Sequence, residues 1–183
     1  MGLGPRVRGH PFTGNRARAL AAARHARRRH RRRAHAGGAY ELACRQFGQG
    51  SDGGARLAFD GRTVSPAGAA YAFATRIDNL DAHDGYQPAK GHAGVALVPT
   101  LLAVVEAHAP ATDGREALTA LVAGYEVACR AGTALHGSAR DYHSSGAWNA
   151  LGAAIIAARL RGHSTGQTAA ALGIAEYHAP RAP

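Results

Sequence analysis

The sequence predicts an all-α domain, and three observations lead there. Alanine and leucine-type helix formers dominate after residue 66. The β-branched residues are too scattered to build a large sheet. Apolar residues recur at helical spacing in stretches bounded by Ser, Asp and Pro, the residues that start helices. The 183 residues suffice for one domain with a real core. That domain is expected over 38–183, behind an arginine-rich extension over 1–37 that is expected to be disordered or irregular.

The elements follow in order. "RLAFDGRTVS", residues 56 to 65, reads as a short extended piece with Asp60-Gly61 as its turn. Ser65 can cap a helix reaching about Arg76, with Pro66 at its first position. "GVALVPTLLAVVEAH", Gly94 to His108, is apolar on all sides around Leu101 to Val105, which predicts a buried helix. Pro99 either starts the regular part of that helix or kinks it. Asp113 with Glu116 marks the next helix start. That helix places Leu118, Leu121, Val122 and Tyr125 on one face and can pair Glu126 with Arg130 on another. Ser144 or Ser145 can cap a further helix, with Trp148, Leu151 and Ile155 facing inward. Ser164 and Gln167 fit a capping box for the last helix, which should fade near Tyr177 before Pro180. Small residues, Gly124, Gly152, Ala153, Ala154 and Gly173, should let these helices approach closely.

The formal charge of +10 belongs to one end of the chain. Residues 1 to 40 hold eleven arginines and no acid, whereas the remainder carries eleven basic and twelve acidic residues. A solvated extension is the simplest reading of the basic end. A nucleic-acid arm is a weaker one, because no aromatic interleaves the arginines, and nucleic acid is not expected as a partner. A mitochondrial presequence is also weaker, since the first serine is Ser51. Two distant cysteines, Cys44 and Cys129, give no zinc spacing. No run of about 18 apolar residues exists to cross a membrane. A reduced, soluble, cytoplasmic protein is the expectation.

Titratable groups gather in three places, each beside a predicted helix end. The first holds Asp78, Asp81, His83, Asp84, Lys90 and His92, and Lys90 is the only lysine in the chain. The second is "RDYHSSGAWN", with Asp141, Tyr142, His143, Ser144 and Ser145. The third is "EYHAPR", with Glu176, Tyr177, His178 and Arg181. Histidine exchanges protons near neutral pH, a neighbouring aspartate orients it, and lysine or arginine holds a carboxylate. Together they could remove a proton beside a carboxylate and expel or protonate a neighbouring group. A histidine at a helix end is more often solvated or capping than catalytic, so the pattern alone leaves each cluster open. Asp81-x-His83 with the distant His143 matches no compact metal signature, and no metal is expected. A Ser-His-Asp hydrolase is weaker still, for want of a GxSxG elbow.

Four longer motifs occur in order: "IDNLDAHDGYQPAKGHAGVALVPTLLAVVEA", "ALVAGYEVACRAG", "DYHSSGAWNALGAA" and "ALGIAEYHAPR". Over roughly residues 38 to 183 the chain resembles the MmgE/PrpD family, which includes 2-methylcitrate dehydratase and cis-aconitate decarboxylase. The resemblance implies a helical domain with a smaller α/β domain, usually in a homodimer. It implies lyase-type, cofactor-independent chemistry on a small di- or tricarboxylate substrate, by dehydration, decarboxylation or isomerisation.

Residue by residue, the resemblance implies catalytic roles for His92 in "GHAG", for His143 in "DYHSSG", and for an aspartate of "IDNLDAHD", either Asp78 or Asp81. His83, Asp84 and Lys90 are expected to bind substrate, with Lys90 matching a "KGH" form of one branch. Family members are much longer, and a further lysine and tyrosine of their sites are expected beyond residue 183. A catalytically incomplete fragment, acting at most as a dimerisation or interaction module, is therefore the alternative reading.

Overall fold

The structure is a computed structural model that describes residues 38, 40–47, 53–140 and 144–180. The described part is mainly helical, as expected. A helix over residues 40–47 (α1) precedes a two-stranded hairpin, β1 (Ala55–Arg56) and β2 (Thr63–Val64). Five helices follow: α2 (Pro66–Asn79), α3 (Gly94–His108), α4 (Gly114–Ser138), α5 (Gly146–Leu160) and α6 (Thr165–His178). The expected extension over 1–37 lies outside the described residues. Among the described residues no helix is long and apolar enough to cross a membrane.

Local chemistry sets the boundaries. The hairpin pairs Ala55 with Val64 and Arg56 with Thr63, and Gly61 turns the chain at φ +88. Ser65 Oγ accepts the Gly68 N–H at 3.2 Å, and Pro66 fills the first position of α2, where its missing N–H costs nothing. Asp113 accepts the Glu116 N–H at 2.8 Å to start α4. Ser164 and Gln167 form both bonds of a capping box, at 3.3 and 2.9 Å. Pro99 lies inside α3 and is buried, so it neither starts the helix nor offers an N–H to the carbonyl four residues back.

Two apolar clusters form the core. One gathers Tyr40, Cys44, Leu57, Val64 and Ala72 around Ala103 of α3. The other gathers Ala89, Leu97, Leu101, Ala128, Trp148 and Ile156. Thus α3 contributes to both. Within the second cluster α4 and α5 meet at glycine: a Cβ on Gly152 would lie 2.7 Å from the Gly124 carbonyl oxygen. A fork from Arg159 to Glu116, at 2.7 and 3.0 Å, ties the same two helices at the surface.

Three packing expectations need correction. The buried stripe of α4 is Ala120, Gly124, Ala128 and Gly132, while Leu118 and Val122 remain 64% and 67% exposed. Small residues win because they allow α5 to come close, and the larger side chains are turned outward. The inward stripe of α5 is Trp148, Gly152 and Ile156, and Leu151 and Ile155 are only half-buried. In α3, Leu101, Ala103 and Val104 are buried but Leu102 is exposed, so that helix is not covered on every side.

Candidate functional site

The first titratable cluster lies on the connection from α2 to α3, and the backbone explains its shape. The Asp81 N–H bonds the Asp78 carbonyl at 2.9 Å and the Ala82 N–H bonds the Ile77 carbonyl at 3.1 Å. That is a Schellman ending, and Asp81 occupies its left-handed position at φ 50. Glycine is the usual occupant, and a non-glycine residue there costs about 1 kcal/mol or more. Farther on, a bridge between Tyr86 and Gly91 closes a small loop over the 3-10 turn Gln87–Ala89. Lys90 sits at the end of that turn, exposed and also left-handed at φ 49.

Asp84 turns back to the start of α3. Its carboxylate accepts the Gly94 N–H, at 3.0 and 3.2 Å to its two oxygens, and the Tyr125 hydroxyl at 2.9 Å. It therefore caps α3 from ten residues upstream, where the adjoining Ala93 offers no side-chain bond. Burial, then the Asp84 hydrogen bond and charge, push the Tyr125 phenol up to about 12. Burial, with Asp84 and Glu126 nearby, also raises Cys129 and keeps it a thiol. Gly94 is required here, since a Cβ on it would lie 2.3 Å from the Tyr125 hydroxyl.

His92 is held at three points. Its N–H donates to Ser145 Oγ at 3.3 Å, its carbonyl accepts from Asn149 Nδ2 at 2.8 Å, and its ring Nδ1 meets the Asp84 carbonyl. A carbonyl only accepts, so Nδ1 carries the proton and Nε2 keeps the lone pair in the neutral ring. The ring stacks on His83, with centroids 3.8 Å apart and planes tilted by 35°. His83 Nε2 in turn lies 3.8 Å from Asp78 Oδ1, the histidine side chain being 16% exposed and the aspartate 69%.

Asp78, His83, Asp84 and His92 thus form one connected group, with Asp81 and Lys90 at the left-handed turns of the same loop. From the second cluster, Ser144 and Ser145 are described, whereas Asp141, Tyr142 and His143 lie outside the described residues. Ser145 stands at the start of α5 without the expected capping bond; its hydroxyl serves His92 instead. From the third cluster, the Tyr177 and His178 rings meet edge to face at 4.9 Å, and Arg181 is outside the described residues. Pro180 packs where a Cβ on Gly146 would be, 2.7 Å away, so the end of α6 returns to the start of α5.

Sequence reasoning passed over two residues here: Tyr125, placed on an apolar face, and Asn149, given no role. Ser145 stands in the second cluster, but the sequence offers it only a capping bond. Asn149 left a signal: it is a polar residue beside Trp148 in an alanine-rich helix, one turn from Ser145. The assembled parts amount to an imidazole of fixed tautomer, a second imidazole against it, and carboxylates and an amine on one exposed loop. Such a set can pass a proton to or from a small bound acid.

Comparison with known proteins bears on the same residues. The family model for the MmgE/PrpD N-terminal domain matches residues 32–181. The chain is also similar to a protein of Aspergillus oryzae named cis-aconitate decarboxylase-like protein oryM. Identity is 30% over 122 residues, covering 62% of this chain and 25% of the relative. The chain thus spans about a quarter of the length of that relative. No solved structure matches it.

Proposed function

Because this chain belongs to the MmgE/PrpD family, we propose that its loop between α2 and α3 carries lyase-type, cofactor-independent acid/base chemistry on a small di- or tricarboxylate, in the manner of 2-methylcitrate dehydratase. The observation that carries this reading is the contact of His92 Nδ1 with the Asp84 carbonyl, which leaves Nε2 to exchange a proton. In a dehydration, Nε2 takes a proton from the carbon beside a carboxylate, the C–O bond of the neighbouring hydroxyl breaks, and a second acid protonates the leaving oxygen. His143 is the proposed second acid; Ser145, two positions along the chain from it, bonds the His92 N–H, which supports the assignment.

Charge develops on the substrate carboxylate as the proton leaves, and Lys90 is the proposed cation beside it. Either Asp78, through its approach to His83, or Asp81, at the strained turn, is proposed to orient a histidine or the substrate hydroxyl. His83 and Asp84 complete the proposed binding loop, Asp84 acting through the cap on α3 as well. The name of the Aspergillus relative supports cis-aconitate as a second probe beside 2-methylcitrate. The purified chain is incubated with each acid and the products are separated by chromatography. Turnover that is lost in His92→Ala and His143→Ala supports the reading; no consumption of either acid refutes it.

A second reading is an interaction module that dimerises without chemistry. The exposed Leu118, Val122, Ile174 and Tyr177 favour it. Discrete dimers in size-exclusion chromatography, with no turnover of either acid, are its expected result.

A further inference from the structure

We propose that Ser145 and Asn149 are positioning residues: standing one turn apart at the start of α5, they grip the peptide of His92 from both sides and thereby set the direction of its ring. Ser145 Oγ takes the His92 N–H at 3.3 Å and Asn149 Nδ2 holds the His92 carbonyl at 2.8 Å. With N–H and C=O both fixed, the residue loses the freedom to rotate about its own backbone. The remaining contact, Nδ1 on the Asp84 carbonyl, then locks the imidazole. The proposal rests on the reading of His92 as the proton-exchanging group.

Two further observations point the same way. Asn149 is 3% exposed, and among the described residues its Oδ1 has no hydrogen-bond partner. A buried polar group left half-satisfied is unfavourable, and an alanine there would avoid the penalty. Among the described residues its side chain bonds only His92, so packing alone does not account for an asparagine at this position. Gly91, the residue before His92, makes the grip geometrically possible. A Cβ on it would lie 2.1 Å from Ser145 Oγ and 3.0 Å from the Trp148 ring. Absence of a side chain at Gly91 lets α5 reach the loop.

The test uses the full chain with 15N-labelled histidine. Two-bond correlation spectra report the ring tautomer of His92, and hydrogen exchange reports its amide. In Ser145→Ala the His92 amide loses its acceptor and is expected to exchange about tenfold faster, and in both Ser145→Ala and Asn149→Ala the ring is expected to leave the Nδ1–H form for a mixture. Amides in α6 should be unchanged. An unaltered tautomer and exchange rate at His92 overturn the proposal, and so does uniform acceleration across the domain, which would mean general loosening. If Asn149→Ala fails to fold, the half-buried Ser145 decides the matter alone, with Ser145→Thr expected to restore the wild-type spectrum. Turnover separates the two claims. Where the wild type consumes an acid, both variants should lower kcat about tenfold with KM within twofold. Where it consumes none, the reading of His92 fails while the spectra still judge the grip.

Discussion

Replacing Asp84 by alanine removes the cap on α3 and the partner of Tyr125 in one step. Loss of a helix N-terminal acceptor costs about 0.5–2 kcal/mol. A hydrogen bond to a charged group is worth roughly 1.5–3 kcal/mol. Here that figure must be cut to about 1 kcal/mol, because Asp84 is exposed and water can replace it on the Tyr125 hydroxyl. The expected loss is therefore roughly 1.5–3 kcal/mol, or a fall in Tm of about 4–10 °C for a domain of this size. Asp84→Asn keeps an acceptor for Gly94 and should lose about 1 kcal/mol or less. Urea melts of Asp84→Ala, Tyr125→Phe and the double variant should give a coupling of about 1 kcal/mol. Absorbance of the phenolate adds a second readout. Tyr125 should ionise near pH 12 in the wild type and at lower pH in Asp84→Ala. Since the folded state raises this group, its stabilising contribution is whole below about pH 10 and disappears as pH climbs through about 12. Additive single variants, with Tm within a degree of wild type for Asp84→Ala, would refute the capping role.

Three other outcomes are expected. Asp81→Gly relieves a left-handed strain and should raise stability by roughly 0.5 kcal/mol in urea melts, while abolishing turnover if Asp81 is the aspartate that acts. Gly152→Ala should destabilise by about 1–3 kcal/mol, because the atoms in its way include the Gly124 carbonyl, whereas Gly173→Ala in open space should stabilise by about 0.5–1 kcal/mol; like behaviour in thermal melts would contradict the close crossing. Ser164→Ala should cost about 1 kcal/mol through loss of the capping box, measured as a shift in the urea midpoint at constant m.

Much of the fold was legible because its signals are local. Ser65-Pro66, Asp113 and the pair Ser164 and Gln167 each bond within three residues, and each begins a helix where the sequence says it should. Asp60-Gly61 likewise turns the hairpin. Which face of each helix is buried was less legible. Periodicity singled out Leu118 and Val122 for their hydrophobicity, but contact between α4 and α5 is decided by how near two backbones can come, and glycine and alanine win that contest. At the candidate site, residue types drew attention to the loop between α2 and α3, where Asp78, His83, Asp84 and His92 meet. The long-range pairings did not show: Asp84 with Tyr125 spans 41 positions, and His92 with Asn149 spans 57. No local rule links residues so far apart. Ser145 was misassigned for the same reason, since its nearest helix end competes with a distant amide that sequence cannot see.

The sharing of α3 between the two apolar clusters has a thermodynamic consequence. Leu97 and Leu101 anchor one layer and Ala103 the other, so melting of either layer should disturb its neighbour. Denaturant is expected to meet a single cooperative unit, with amides of α2 and α5 sharing one opening free energy. The His92 loop runs straight into the first turn of that common helix. Its geometry is thus tied to the whole domain, and the His92 ring should keep its orientation for as long as the chain stays folded.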